Sequence, residues 1–313
     1  MADKMRIVFM GTPDFAVHVL EALAASRHEI AAVVTQPDKP KGRGKNMQFS
    51  PVKEKAQELG IPVCQPVRVK EPEFVETLAA FAPDVIVVVA FGQILSKEIL
   101  ALPKYGCVNV HASLLPKYRG AAPIQWVILD GEEKTGITTM LMDEGLDTGD
   151  MLEKAQVDIA PDETGESLHD KLAAMGGPLI LSTLDKLEDG SIIRTKQDDS
   201  KSCYAKMLTK QMGRMDFTKT AVVLERQIRG LNSWPSAYCT LGGKTMKVWR
   251  AEVEETESTG TPGCVLSADK RGSRVQTGQG VLCIKELQME GKKRMDADAF
   301  LRGYPVETGM ILL

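Results

Sequence analysis

The chain has 313 residues, of which 43% are hydrophobic and 26% charged, with a formal net charge of −3. This length favours two domains over one, and the composition is that of a folded globular protein, which excludes a wholly disordered chain. No apolar run approaches the ~20 residues that span a bilayer, and the stretch around Met5–Met10 is too short for a signal peptide, so the expected location is cytoplasmic.

The first half alternates strand and helix signals. Arg6 to Met10 is an apolar strand, followed by Gly11-Thr12-Pro13-Asp14, which reads as a break, a capping threonine and a proline opening a helix to about Ala25. Residues 29–35 form a second strand, and Ser50-Pro51 opens a second helix in the same fashion. A short third strand is expected at 62–65. Residues 84–90, Asp-Val-Ile-Val-Val-Val-Ala, are β-branched almost throughout, as in a strand buried on both faces of a parallel sheet. A helix from Ser96 leads to another strand at 106–111. The βαβα order predicts an α/β fold with a doubly wound, mostly parallel sheet.

Beyond residue 131 the pattern changes. Residues 135–142 and 151–160 read as strands joined by the loop Asp143 to Asp150, and a long helix covers about 164–187. Residues 190–208 are polar and broken and read as a domain linker. After it come a helix at about 218–230 and several short strands, with glycine turns at Gly242-Gly243 and Gly278–Gly280. That pattern predicts a small β-barrel of the OB type. Charge divides along the same line: residues 209–313 carry 16 Lys+Arg against 12 Asp+Glu, a balance of +4, which leaves −7 for the first 208. A mildly basic module on an acidic body hints at a division of labour.

Six cysteines at 64, 107, 203, 239, 264 and 283 include no C-x-x-C pair, and Cys107 and Cys283 lie in apolar runs as small buried hydrophobes. No metal spacing, phosphate loop, dinucleotide fingerprint or nucleophile elbow appears, so no metal is expected. His18, His28 and His169 have no polar constellation near them in sequence.

Ligands of an open parallel sheet bind beyond the carboxyl ends of its strands. The richest such place is Asn109 to Gly120. Asn109 and His111 are two apart on a strand, so their side chains share a face. An amide donor beside an imidazole can stabilise an oxyanion while the imidazole moves a proton. A carboxylate to set the histidine's charge is available at Asp147, in the glycine-flanked loop 143–150. An Asn-x-His pair also serves as plain structure, its histidine held by carbonyls, and the acidic loop as a surface turn. The spacing leaves both readings open.

Asn109-Val-His111-Ala-Ser-Leu-Leu-Pro-Lys-Tyr-Arg-Gly120, followed by Met142-Asp-Glu-Gly-Leu-Asp147-Thr-Gly-Asp150, resembles the signature of the folate-dependent formyltransferases. Ile7 to Ala16, Gln36 to Lys45, Ser50 to Lys53, Ile228 to Ala237 and Gly260 to Gly263 are similar to the branch of that family acting on methionyl-tRNA. Ser236 stands where that branch usually has glycine, a change expected to cost turn geometry rather than chemistry. The resemblance implies a Rossmann-like formyltransferase domain over 1–189 and an OB-like tRNA-binding domain over 209–313. It implies formyl transfer from 10-formyltetrahydrofolate to the α-amine of methionine on initiator tRNA. Asn109 would donate to the oxyanion. Protonated His111 would stabilise the same charge and supply the leaving-group proton, and Asp147 would keep His111 cationic and help take the amine's proton. Ser113, Leu114, Leu115 and Pro116, with Ala90, Phe91 and Gly92, would border the folate.

Lys39, Lys41, Arg43 and Lys45 place four positive charges in seven residues. By composition they form a solvated loop. The resemblance implies a loop that meets the phosphates and bases of a tRNA acceptor stem. The chain is expected to act as a monomer, without a membrane. Two further readings stand beside this one: a folate-dependent enzyme acting on a small amine or water, and a non-catalytic RNA-binding protein on a relict scaffold.

Overall fold

The computed structural model describes residues 4–40, 47–256 and 260–313. The chain forms two compact units, one of residues 1–120, 134–157 and 169–205, the other of residues 121–133, 158–168 and 206–313.

The first elements run β1 (Arg6–Gly11), α1 (Asp14–Ala24), β2 (Glu29–Val34), β3 (Lys39–Pro40), β4 (Met47–Gln48), α2 (Pro51–Glu58), β5 (Val63–Cys64) and α3 (Pro72–Ala80). They continue with β6 (Val85–Val89), α4 (Lys97–Ala101), β7 (Cys107–His111), β8 (Arg119–Gly120), α5 (Pro123–Leu129), β9 (Lys134–Leu141), β10 (Met151–Asp158), α6 (Gly165–Glu188) and β11 (Tyr204–Ala205). Seven strands form one sheet in the order β10-β9-β7-β6-β1-β2-β5. Pairing is parallel from β7 through β5, and β9 runs antiparallel to β7. The chain builds outward from β1 to β2 and β5, then returns to place β6 on β1's other side. The strand order therefore reverses at β1, and the crevice beyond the carboxyl ends of β1 and β6 is the topological switch point.

The alternation of a strand decides which residues face where. Val8, Met10, Ala32, Val34, Ile86, Val88 and Cys107 pack with Leu78 of α3 and Ile99 of α4. The residues between them, including Ile7, Phe9, Val33, Val85 and Val87, are equally buried and so line the opposite face. Both faces are covered, as the unbroken apolar run of β6 required. On β7, Val110 faces α6, where a Cβ on Gly176 would lie 3.5 Å from it. Cys107, Asn109 and His111 therefore point to the other side. Burial holds the Cys107 thiol up at about 12, so it behaves as a small apolar side chain.

One helix start differs from expectation. Ser50 caps α2, its Oγ accepting from Lys53 N at 3.0 Å with Pro51 next in line. At α1, by contrast, the cap residue is Pro13 and no side chain caps the helix. Thr12 is directed across the crevice instead, donating to the Phe91 carbonyl at 3.2 Å and lying 3.4 Å from Gln36 N. A hydroxyl so placed ties three loops together and is unavailable to the helix.

The second unit includes α7 (Ala221–Gly230), β12 (Ala237–Leu241), β13 (Lys244–Glu254), β14 (Val265–Asp269), β15 (Gly272–Gln276), β16 (Val281–Met289), β17 (Met295–Asp296) and α8 (Ala297–Gly303). The sheet is antiparallel, in the order β12-β13-β16-β15-β14, with β17 on β16. Gly242 and Gly243 have φ of 56° and 77°, the left-handed pair that a two-residue hairpin between β12 and β13 requires. The last residues join the two edges. Val265 N donates to Met310 O and Leu312 N to Gly263 O, each at 2.8 Å, while Leu313 N donates to Thr240 O at 3.1 Å. The hydrogen-bonded circuit is thereby closed into a small barrel, which removes both open edges. Gly263 (φ 86°) admits this tail, since a Cβ there would lie 2.4 Å from Leu312 O. Leu312 enters the barrel core with Phe217, Leu224, Val265, Ile284 and Phe300. Replacing Leu312 with Ala should cost about 2–5 kcal/mol in urea denaturation. A loss under half a kilocalorie would show that the tail does not close the barrel.

Candidate active site

Strand β7 delivers Asn109 and His111 to the same face, and the loop after β9 brings Asp147 to meet them. Asn109 Nδ2 stands 3.5 Å from Asp147 Oδ1, and His111 Nδ1 stands 3.8 Å from Asp147 Oδ2. All three are largely buried, with Asn109 at 9% exposure and His111 at 6%. His111 Nε2 lies 2.8 Å from the Tyr118 carbonyl. A carbonyl only accepts, so Nε2 carries a hydrogen and Nδ1 is the ring atom turned to the carboxylate. Asp147 Oδ2 also accepts from Gly120 N at 2.8 Å. The three residues that the sequence singled out, 38 positions apart at the extremes, thus converge within 4 Å.

The backbone around them is unusual. Ala90, Tyr118 and Asp147 have φ of 46°, 58° and 55°, three of the five non-glycine residues with positive φ among the described residues. Such conformations carry strain and collect at functional sites. Asp tolerates the left-handed region better than most residues, and here it needs support. The loop supplies some: Asp143 Oδ1 accepts from Gly145 N at 3.0 Å and Thr148 Oγ1 at 2.7 Å. Gly149 supplies more by lacking a side chain, since a Cβ there would stand 1.8 Å from Leu141 O.

The 90–92 and 113–116 segments follow β6 and β7, which are adjacent, with Val88 paired to Asn109. Several groups there are already engaged. Ser113 Oγ donates to Lys117 O at 2.6 Å, and Phe91 O accepts from both Thr12 and Gln36. Ser113, Leu115 and Phe91 are buried, whereas Ala90 and Gly92 are exposed and Leu114 and Pro116 half-buried. Leu115 O accepts from Lys154 Nζ at 2.5 Å, and burial holds that amine below the ordinary lysine range. A flat ligand along these strand ends would therefore meet backbone and the Ala90, Gly92, Leu114 and Pro116 surfaces.

Of the basic stretch, Lys39 is exposed, in a hairpin where Lys39–Pro40 pairs with Met47–Gln48. Lys41, Arg43 and Lys45 lie outside the described residues. The hairpin follows β2, three strand spacings, about 14 Å, across the sheet from β7. Lys53, itself 9% exposed, holds both ends of this neck: its Nζ pairs with Asp38 at 2.5 Å and sits 3.8 Å from the Phe49 ring centre. Lys53, with Gln65, keeps the Asp38 carboxyl below the usual range.

Two arrangements carry no clear signal in the sequence. His169 is not isolated: Nε2 is 3.5 Å from Asp14 and Nδ1 3.0 Å from Asp170, and its ring meets Phe15 edge-on. Asp14 is 155 positions away, and only the packing of α6 on α1 brings it close. The second is Gln197, within the stretch expected as linker. Its Nε2 donates to the carbonyls of Asp147 and Gly149, both at 2.8 Å, and its Oε1 accepts from Arg119 Nε and Nη2 at 3.0 and 2.9 Å. The available signal was a lone amide among charges.

Residues 5–184 match the family model of formyl transferase, and residues 207–305 that of the formyl transferase C-terminal domain. A methionyl-tRNA formyltransferase of Agathobacter rectalis is 57% identical over 97% of this chain and 98% of its own length. One of Clostridioides difficile is 51% identical over 98% of this chain and 100% of its own. The chain belongs to the methionyl-tRNA formyltransferase family. Two solved structures share its fold at lower identity. HypX from Aquifex aeolicus, in complex with tetrahydrofolic acid, aligns with a TM-score of 0.64 at 18% identity over 99% of this chain and 51% of its own. An N-formyltransferase of Helicobacter canadensis, with folinic acid and dTDP-3-aminofucose, aligns with a TM-score of 0.63 at 17% identity over 90% and 99%.

Among the described residues, no helix is long and apolar enough to cross a membrane. Gly149→Ala should lower stability by ~1–3 kcal/mol, because the added methyl overlaps a strand carbonyl. Unchanged urea denaturation together with unchanged amide shifts over 143–150 would contradict this account of the loop.

Proposed function

We propose that this protein transfers the formyl group of 10-formyltetrahydrofolate to the α-amino group of methionyl initiator tRNA. The observation that carries the proposal is the meeting of Asn109, His111 and Asp147 at the carboxyl end of β7, in a chain that aligns with a methionyl-tRNA formyltransferase over 98% of that relative's length. The donor set suits a formyl group passing between two nitrogens. Formylfolate supplies an activated one-carbon unit, and the chain must polarise its oxygen, relieve the attacking amine of a proton and return one to the departing nitrogen.

Asn109 Nδ2 holds Asp147 only loosely, at 3.5 Å, so its hydrogens can turn to an oxygen on which charge develops. His111 has Nε2 committed to Tyr118 O, which leaves Nδ1 as the atom that holds and gives up a proton. Asp147 faces that nitrogen and, with its second oxygen near Asn109, stands where a proton from the incoming amine can be taken. Residues 90–92 and 113–116 are the proposed border of the folate. In this reading residues 1–189 form the catalytic domain and 209–313 the tRNA-binding module, while the connecting stretch 190–208 packs in part against the catalytic loops, through Gln197 and residues 203–205. Lys39, Lys41, Arg43 and Lys45 meet the acceptor stem, and the protein works as a cytoplasmic monomer.

Purified protein given formylfolate and methionyl-tRNA should yield formylmethionyl-tRNA. Asn109→Ala should lower turnover ~10²–10³-fold, the usual loss of an oxyanion donor. Transfer only to free small amines or to water would sink the tRNA assignment. Tight tRNA binding with no transfer would point to a binding protein. Charge contacts to RNA also predict that activity falls steeply as salt rises. Activity insensitive to salt up to several hundred millimolar would remove the basic stretch and the +4 module from the substrate site.

A further inference from the structure

Beyond the three proposed catalytic residues, the Asp147 loop is held from its far side by Gln197. Residues 193–196 and 198–200 are exposed, and among them only Gln197 turns inward. Every hydrogen-bonding group of its amide is engaged. The two N–H groups meet two carbonyls, of Asp147 and Gly149, and the oxygen meets two guanidinium N–H groups of Arg119. The reverse orientation would set donor against donor and acceptor against acceptor, so the network fixes which end is which. Arg119, with its side chain 11% exposed, also reaches Asp199 at 2.8 Å.

These bonds close a ring around the catalytic carboxylate. Arg119 immediately precedes Gly120, whose N–H holds Asp147 Oδ2. Gln197 ties Arg119 to the carbonyl of that same aspartate. The neighbouring residues complete the support: Tyr118 N donates to Cys203 Sγ at 3.2 Å, Arg119 N to Cys203 O at 3.0 Å, and Tyr204–Ala205 pairs with Arg119–Gly120. Tyr118 in turn carries the carbonyl that orients His111. Segment 197–205 therefore fixes both Asp147 and the partner of His111.

We infer that Gln197 is a positioning residue for the catalytic pair, holding Asp147 in its left-handed backbone and in register with Gly120 and His111. It touches no reacting atom and acts through Asp147. The role needs an amide. Glutamate has the same shape and would keep Arg119, yet it would set a carboxylate oxygen against two carbonyls and expel the loop.

This inference rests on the assignment of Asp147 to catalysis, and the test separates the two. Formylation kinetics are measured for the wild type, Gln197→Ala, Gln197→Glu, Asp147→Asn and the double variants. Both Gln197 variants should lower kcat about 10- to 100-fold, the scale of a misplaced catalytic group, with KM for tRNA and formylfolate within about twofold of wild type. In the Asp147→Asn background they should change little further. A loss confined to KM, wild-type kcat in both variants, or full additivity would overturn the role. Imidazole ¹⁵N spectra of the substrate-free protein give a readout independent of the reaction. In Gln197→Glu, the His111 signals should move while those of His18 and His28 stay. Unmoved His111 signals refute the positioning even if the reaction proves to be another, whereas moved signals without any formylation would refute the functional assignment alone. Should Gln197→Ala fail to fold, the isosteric Glu variant carries the same tests.

Discussion

Asp147 is the constraint on which the site turns. Its carboxylate lies between an amide from one position of β7 and an imidazole from two positions on, and it is held there on a left-handed backbone at φ 55°. An isolated turn would relax out of it. Here the Gly120 amide grips one oxygen, Gln197 grips the carbonyl, and the missing side chain of Gly149 lets the loop close against Leu141. Remove that enclosure and Asn109 and His111 are two polar residues at a strand end with nothing to act in concert with.

The same economy of position runs through the crevice. Thr12 and Gln36 both converge on the carbonyl of Phe91, so the loops after β1, β2 and β6 are one connected rim. Lys53 grips the neck of the basic stretch at both ends. In the second unit the barrel is closed by its own last residues, which satisfy the edges of β12 and β14 together. Overall charge is silent about this. The value of −3 averages an acidic body, a +4 module and a basic stretch concentrated within seven residues.

Much of the fold was legible because its signals are local. The β-branched run of β6 announced a strand buried on both faces, and Ser50-Pro51 announced a helix start. The glycine pair at 242–243 announced a hairpin. Ser236 is a telling case: its backbone is left-handed at φ 71°, a conformation open to glycine at no steric cost and strained for serine. Thr12 misled, since its sequence context is that of a cap while its hydroxyl serves two distant loops. His169 and Gln197 were opaque for the same reason. Their partners lie far along the chain, and residue type carries no record of what a side chain will meet.

The sequence by itself determined the alternation of elements, the shared face of Asn109 and His111, the kinship and the uneven distribution of charge. Each follows from periodicity, residue type or a run of adjacent residues. The sequence also pointed to Asp147 as the carboxylate; only the tertiary structure decided that Gln197 and Arg119 hold it and that residues 310–313 close the barrel. Those facts depend on contacts between segments tens of residues apart, formed when the sheet order is complete. Hydrogen-bond geometry at that range is set by the packing of the whole unit and by no local preference.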